Sequence, residues 1–157
     1  MQNTLTNNTV IICINWICSG WGDSFVKTML ETGQEGDIAN AIFDRVGTPI
    51  DAEAASKAIM SILQGQVFNH PAFPISLLHF GNKGVCSWYE FAKKTIELAF
   101  SFRVLYIVAK SHPTSTNHRC YSVLNRAKIK STYGLSVPYC KDGLKQCVTA
   151  LQGKASS

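Results

Sequence analysis

No two of the six cysteines (Cys13, Cys18, Cys86, Cys120, Cys140, Cys147) are spaced C-x-x-C. That absence removes the zinc-ribbon and thioredoxin-type patterns. His112, His118 and Cys120 lie close in sequence, but no second ligand pair completes a tetrahedral set, so no structural metal is expected. The opening stretch MQNTLTNNTVIICINWICSGW lacks the basic start and small-residue cleavage site of a signal peptide. Its apolar run is interrupted by Asn15 and is too short to cross a bilayer. A cytoplasmic chain with reduced thiols and no membrane association is therefore expected. Charged residues are also sparse, at 16% against 46% hydrophobic, which argues against intrinsic disorder. What remains is a 157-residue chain with enough apolar material for one compact core.

The formal charge of +5 is unevenly distributed. From Arg103 onward nine basic residues face one acid, Asp142, while the first 102 residues carry a net −3. A basic half suits an anionic partner, either nucleic acid or a phosphorylated ligand, or is simply a solvated surface. No helix-turn-helix, zinc finger or aromatic-basic ribonucleoprotein motif accompanies the charge, so a nucleic-acid partner is not expected.

Periodicity gives alternating strands and helices. TVIICINW (9–16) is a β-branched apolar run of the kind found in parallel strands buried on both faces. After the turn CSGWGDS, Asp23 or Ser24 caps a helix beginning at Phe25 and running to about Leu30. NAIF (40–43) reads as a strand and GTPI (47–50) as a turn. Asp51 caps a helix whose face carries Ala52, Ala55, Ile59, Ile62 and Leu63. ISLLHF (75–80) and FRVLYIV (102–108) read as strands. Ser87-x-x-Glu90 is a capping box for a helix to about Phe100. SHPTSTNHR (111–119) is a polar loop, and Asn125 caps a short helix stopping near Gly134. Pro138 precedes a last helix striped with Leu144, Cys147, Val148 and Leu151. The expectation is an α/β fold in a single region, 1–157.

One motif invites a catalytic reading. Tyr89-x-x-x-Lys93 has the spacing of the tyrosine–lysine pair in short-chain dehydrogenases, where lysine lowers the phenol's pKa for proton transfer to a ketone. Residues i and i+4 also meet by chance on many helices.

Four blocks, in order, decide between these. NW…FVKTML, FDRVGTPIDAE, LLHFGNKGVCSWYEFAKK and YSVLNRAKIKSTYGLSVPYCKDGLKQCV resemble the C-terminal half of dTDP-4-dehydrorhamnose reductases, over about Val10 to Val148. These are extended short-chain dehydrogenases that make dTDP-L-rhamnose. The resemblance implies the C-terminal part of a Rossmann-type fold, lacking the N-terminal dinucleotide-binding half. It places the family's catalytic Tyr-x-x-x-Lys upstream of this chain's first strand, and makes Tyr89 and Lys93 packing residues. The family's NADPH or NADH site also belongs to the other half; Gly20, Gly22, Gly33 and Gly36 are too scattered for its glycine-rich turn. No cofactor is expected on this chain alone.

The resemblance also implies a dTDP-sugar site. Trp16 matches the tryptophan lying against the deoxysugar ring, although a strand-ending tryptophan is also ordinary core. Lys27, on the helix whose N-terminus would meet the diphosphate, has Asp23 beside it where the family has asparagine. Arg45 stands for glutamine, His118 for arginine and Arg119 for proline, while Cys13 replaces an arginine. An imidazole does not reproduce a guanidinium fork. Two functions follow as expectations: a dTDP-sugar-binding half, incompetent alone, or a degenerate non-enzymatic paralogue without ligand. Strands deprived of sheet neighbours would expose apolar surface, favouring a complementary nucleotide-binding chain or self-association.

Overall fold

Helices begin where the sequence supplies acceptors for their first N–H groups. The computed structural model describes residues 9–35, 38–65, 76–100, 106–110 and 120–155. In chain order the elements are β1 (Val10–Cys13), β2 (Ile17–Cys18), α1 (Phe25–Glu35), β3 (Ile38–Ile42), β4 (Val46–Gly47), β5 (Ile50–Asp51) and α2 (Ala52–Gln64). They continue with β6 (Ser76–His79), β7 (Cys86–Ser87), α3 (Trp88–Ala99), β8 (Tyr106–Lys110), α4 (Ala127–Tyr133) and α5 (Cys140–Ala155).

Ser24, not Asp23, caps α1: its Oγ accepts from Lys27 N at 3.3 Å. Asp51 Oδ2 accepts from Ala54 N at 2.9 Å and starts α2. At α3 the capping box is complete, with Ser87 Oγ accepting from Glu90 N at 3.1 Å and Glu90 Oε2 accepting from Ser87 N at 2.7 Å. Asn125 Oδ1 accepts from Ala127 N at 2.9 Å, and α4 ends on Gly134 at φ 63°, a left-handed turn suited to glycine.

Three strand pairs are parallel: β1 with β6, β2 with β5, and β3 with β8. The fourth, β4 with β7, is antiparallel. This is the expected α/β arrangement. The turn read at 47–50 is in fact split, because Gly47 closes β4 and Ile50 opens β5. Two-residue strands carry too little pattern to be visible in sequence. The strand expected at 102–108 is described only from Tyr106, where it runs to Lys110; the loop at 111–119 lies outside the described residues.

Two cores result. Ile50, Ala55, Ala58, Ile62, Leu78, Phe80, Ile129 and Val137 join α2 and α4 to β5 and β6. Across the molecule, α1, α3 and α5 pack on one another through Val26, Leu30, Phe91, Leu144, Cys147 and Val148. Gly20 lets α5 approach closely: a Cβ there would sit 2.9 Å from Ala150 Cβ.

Burial departs from expectation in two places. The inward stripe of α2 is Ala55, Ala58 and Ile62, whereas Ile59 and Leu63 are 41% and 38% exposed. The i, i+3, i+7 set points to the core, and among the described residues nothing covers the neighbouring stripe. In β1 only one face is buried. Ile12 packs on the core, while Ile11 and its register partner Leu77 are exposed side by side. No described helix is long and apolar enough to cross a membrane.

Candidate functional site

The chain leaving the carboxyl end of β1 carries Asn15 and Trp16, which a hydrogen-bonded frame holds in place. Asn15 Nδ2 donates to Ser122 O at 2.6 Å and to Ser122 Oγ at 3.1 Å. Ser122 N donates to Val46 O at 2.9 Å, and Val46 N donates to Cys120 O at 2.7 Å. Trp16 O accepts from Ile50 N at 2.7 Å. Three separate segments, at 15–16, 46–50 and 120–122, therefore converge on one spot.

Gly47 makes that convergence possible. A Cβ at Gly47 would lie 2.8 Å from Trp16 Cζ2, 2.8 Å from Ser122 Oγ and 2.9 Å from Asn15 Nδ2. Trp16 stacks on Trp88 with ring centroids 4.3 Å apart and planes 24° from parallel. Phe25, the first residue of α1, meets the edge of Trp88 at 4.3 Å, and Phe91 lies beyond it. The half-buried Trp16 is thus one end of an aromatic stack rooted in the helical core. One face of its ring is committed to Trp88.

The other expected site residues fare differently. Arg45 is half-buried, next to Val46, and its backbone O accepts from Trp88 N at 3.2 Å. Arg45 therefore belongs to the same frame as Trp16. His118 and Arg119 lie outside the described residues; Cys120, the next residue, is the one bonded to Val46. Lys27 stands apart. Its Nζ lies 3.0 Å from Asp23 Oδ1 and 3.9 Å from Glu31 Oε1, and the hydrogen bond to Asp23 raises its pKa, with both carboxylates adding. It lines a pocket with Trp21, Leu30, Glu31, Phe100 and Leu151, of about 590 Å³. Two acids around one cation leave little attraction for a diphosphate, though Asp23 is solvent-exposed and its effect is screened.

Asn15, Gly47, Trp88 and Ser122 were missed as site residues. Only long-range contacts reveal them, since Asn15 and Ser122 are 107 positions apart. Tyr89 packs on the cluster of Met29, Ala41, Ala92 and Ile96, and Lys93 is exposed.

The model for the RmlD substrate binding domain matches residues 2–153. The chain belongs to that family. Among curated relatives, dTDP-4-dehydrorhamnose reductase of Sinorhizobium fredii is 28% identical over 149 residues, covering 92% of this chain and 50% of the relative. The spore coat polysaccharide biosynthesis protein SpsK of Bacillus subtilis is 26% identical, covering 90% and 47%. A solved dTDP-4-dehydrorhamnose reductase from Clostridium acetobutylicum superposes with a TM-score of 0.77 at 26% identity, covering 91% of this chain and 49% of that one. The Bacillus anthracis dTDP-4-dehydrorhamnose reductase, solved in complex with NADP, gives a TM-score of 0.77 at 24% identity, covering 91% and 48%. The chain spans about half the length of the curated relatives it matches. Its fold is that of the corresponding part of a Rossmann-type short-chain dehydrogenase.

Among the described residues, the glycine-bearing turn between β2 and α1 is a poor match for a dinucleotide's pyrophosphate. Gly20 is filled by Ala150 rather than left open to a pyrophosphate, and the acidic Asp23 precedes α1. No step through a nicotinamide cofactor follows from these residues.

Proposed function

We propose that this chain is the dTDP-sugar-binding part of a dTDP-4-dehydrorhamnose reductase-like protein of dTDP-L-rhamnose formation. It does not transfer hydride alone, since neither Tyr89 nor Lys93 serves as the acid. The carrying observation is the frame that brings Asn15, Trp16, Arg45 and Ser122 together beyond the carboxyl end of a parallel strand. That is where open α/β folds place ligands. The aromatic stack fixes the Trp16 ring and so lowers the ordering cost of laying it against a sugar. Arg45, with His118 and Arg119 in the adjoining segment, supplies the cationic groups for the nucleotide. Lys27 contributes weakly because of its two acids.

The acid-flanked Lys27 and the drifted residues favour one rival, a non-enzymatic paralogue without ligand. Titration with dTDP, following the Trp16 and Trp88 indole signals by two-dimensional NMR, separates the two. Saturable shifts at Trp16, reduced in Trp16→Ala and Arg45→Ala, are expected. Well-dispersed signals that stay still at millimolar dTDP would leave the rival.

A further inference from the structure

Four of the six cysteines are arranged in two pairs, each with one member on α5. Cys140 and Cys147 lie two turns apart on that helix, where i and i+7 share a face. Cys18 and Cys147 sit in one buried cluster, and Cys86 and Cys140 line one pocket. Each pair joins segments far apart in sequence.

The two pairs differ in access. Cys18 and Cys147 are each only 3% exposed, inside the helical core. Cys86 and Cys140 are half-buried and line the same open surface pocket of about 220 Å³, with Glu90, Lys94 and Lys141 at its rim. Backbone bonds hold the outer pair in place: Cys140 N donates to Lys83 O at 2.8 Å, and Lys83 N donates to Pro138 O at 2.7 Å. Gly84, at φ 96°, passes so close that a Cβ there would lie 2.9 Å from Cys140 Sγ. The chain before Cys86 is thus shaped around the Cys140 sulfur.

We propose that Cys86 and Cys140 are an oxidisable dithiol that closes to a disulfide, a modification site at the start of α5. The oxidant is a hydroperoxide. The Cys140 thiolate attacks a peroxide oxygen, the O–O bond breaks, and hydroxide leaves from hydrogen peroxide while Cys140 becomes a sulfenic acid. The Cys86 sulfur then attacks the sulfenic sulfur, the S–S bond forms and the S–O bond breaks. The hydroxyl leaves as water with the proton of Cys86. In sum, two thiols and one hydrogen peroxide give one disulfide and two waters.

The order of attack follows from the surroundings. Hydrogen bonding from Cys86, against the opposing effect of burial and with help from the backbone N–H groups of Lys141 and Cys140, lowers Cys140 from 9.0 to about 7. The same contact and burial push Cys86 upward. Cys140 is the first residue of α5, where the N–H groups of the helix N-terminus favour a thiolate, so it is the attacking sulfur and Cys86 the resolving one. The bond would lie two residues from Trp88, through Ser87, and so restrain the ring that supports Trp16. Disulfide formation itself does not depend on the ligand reading.

The test is peptide mapping of the folded chain after hydrogen peroxide, with free thiols alkylated before digestion by trypsin. The peptides 84–93 and 131–141 each hold one cysteine of the pair. They should appear cross-linked, with the loss of two hydrogen atoms, and separate on reduction. Cys86→Ser should lose the cross-link and instead trap dimedone on 131–141, while Cys18 and Cys147 stay alkylatable after unfolding. Recovery of both peptides unlinked from oxidised wild-type chain would overturn the proposal. So would prior closure of the Cys18–Cys147 pair.

Discussion

Gly143 and Gly153 lie on the same helix, and the structure assigns opposite signs to the same substitution at the two positions. Alanine within a helix is ordinarily worth about 0.5–1 kcal/mol over glycine, because glycine loses more backbone freedom on folding. At Gly153 a Cβ meets nothing within 4 Å, so Gly153→Ala should raise stability by a few tenths to about 1 kcal/mol, at the lower end near a fraying terminus. At Gly143 the added Cβ would lie 2.6 Å from Asp51 Cβ, 3.5 Å from Asp51 Cγ and 3.3 Å from Asn82 Nδ2. Asp51 cannot simply swing aside, because its Oδ2 caps α2 through Ala54 N and it is buried. Overpacking of this kind costs about 1–3 kcal/mol, and disturbing the cap adds about 1 kcal/mol. Set against the helix gain, Gly143→Ala should destabilise by about 1–3 kcal/mol. In urea that is a fall in midpoint of about 1 M for a slope typical of a small protein. A Gly143→Ala midpoint at or above wild type, with Gly153→Ala as the internal control, would refute the close approach of α5 to Asp51.

Three further outcomes are expected. Ser87→Ala removes the acceptor of the α3 capping box and should cost about 1 kcal/mol in urea unfolding, with Ser87→Thr recovering most of it. Gly47→Ala forces Trp16, Ser122 and Asn15 apart; it should weaken dTDP binding at least as much as Arg45→Ala and move the Trp16 indole signal without ligand, and an unmoved indole would count against the frame. Cys140 should alkylate with a rate that rises through a pH of about 7, since only the thiolate reacts. Cys86→Ala removes the neighbouring thiol, the main cause of the lowering, and should shift that midpoint upward.

The local chemistry of this chain was legible in its sequence, and its long-range geometry was not. Asp51 and Ser87 were readable as helix starts because a capping acceptor and the N–H groups it serves lie within three residues, whereas the N-cap of α4 is Arg126, one residue after the expected Asn125, which still accepts from Ala127 N. Helix existence and the α/β class followed from periodicity for the same reason. At α1 the choice between Asp23 and Ser24 was open, and geometry decides for Ser24 because Asp23 is turned outward to Lys27. The face of α2 was misjudged by one stripe. Ile59 and Leu63 are as apolar as Ile62, and composition alone does not say which way a helix with a broad apolar arc is turned. Of the candidate site, Trp16 and Arg45 were singled out through resemblance, and the frame holds both. Asn15, Gly47, Trp88 and Ser122 were not, because each matters only through partners 31 to 107 positions away.

The positions at which polar and apolar demands conflict say most about how the chain is used. Along β1 the alternation of a strand sends Ile12 inward and Ile11 outward, yet both are isoleucine. The same holds on β6, where Leu78 is buried and Leu77 is half exposed. A strand built to face water on one side would carry polar residues there, as antiparallel sheets commonly do. Ile11 and Leu77, partners in register, instead give an apolar face out of keeping with a strand that has one wet face, and Ile59, Met60 and Leu63 are likewise exposed on α2. The sequence of β1 therefore specifies burial on both sides, while the described residues supply cover for only one. That mismatch is independent of any family resemblance, and it fits a chain spanning half the length of its relatives.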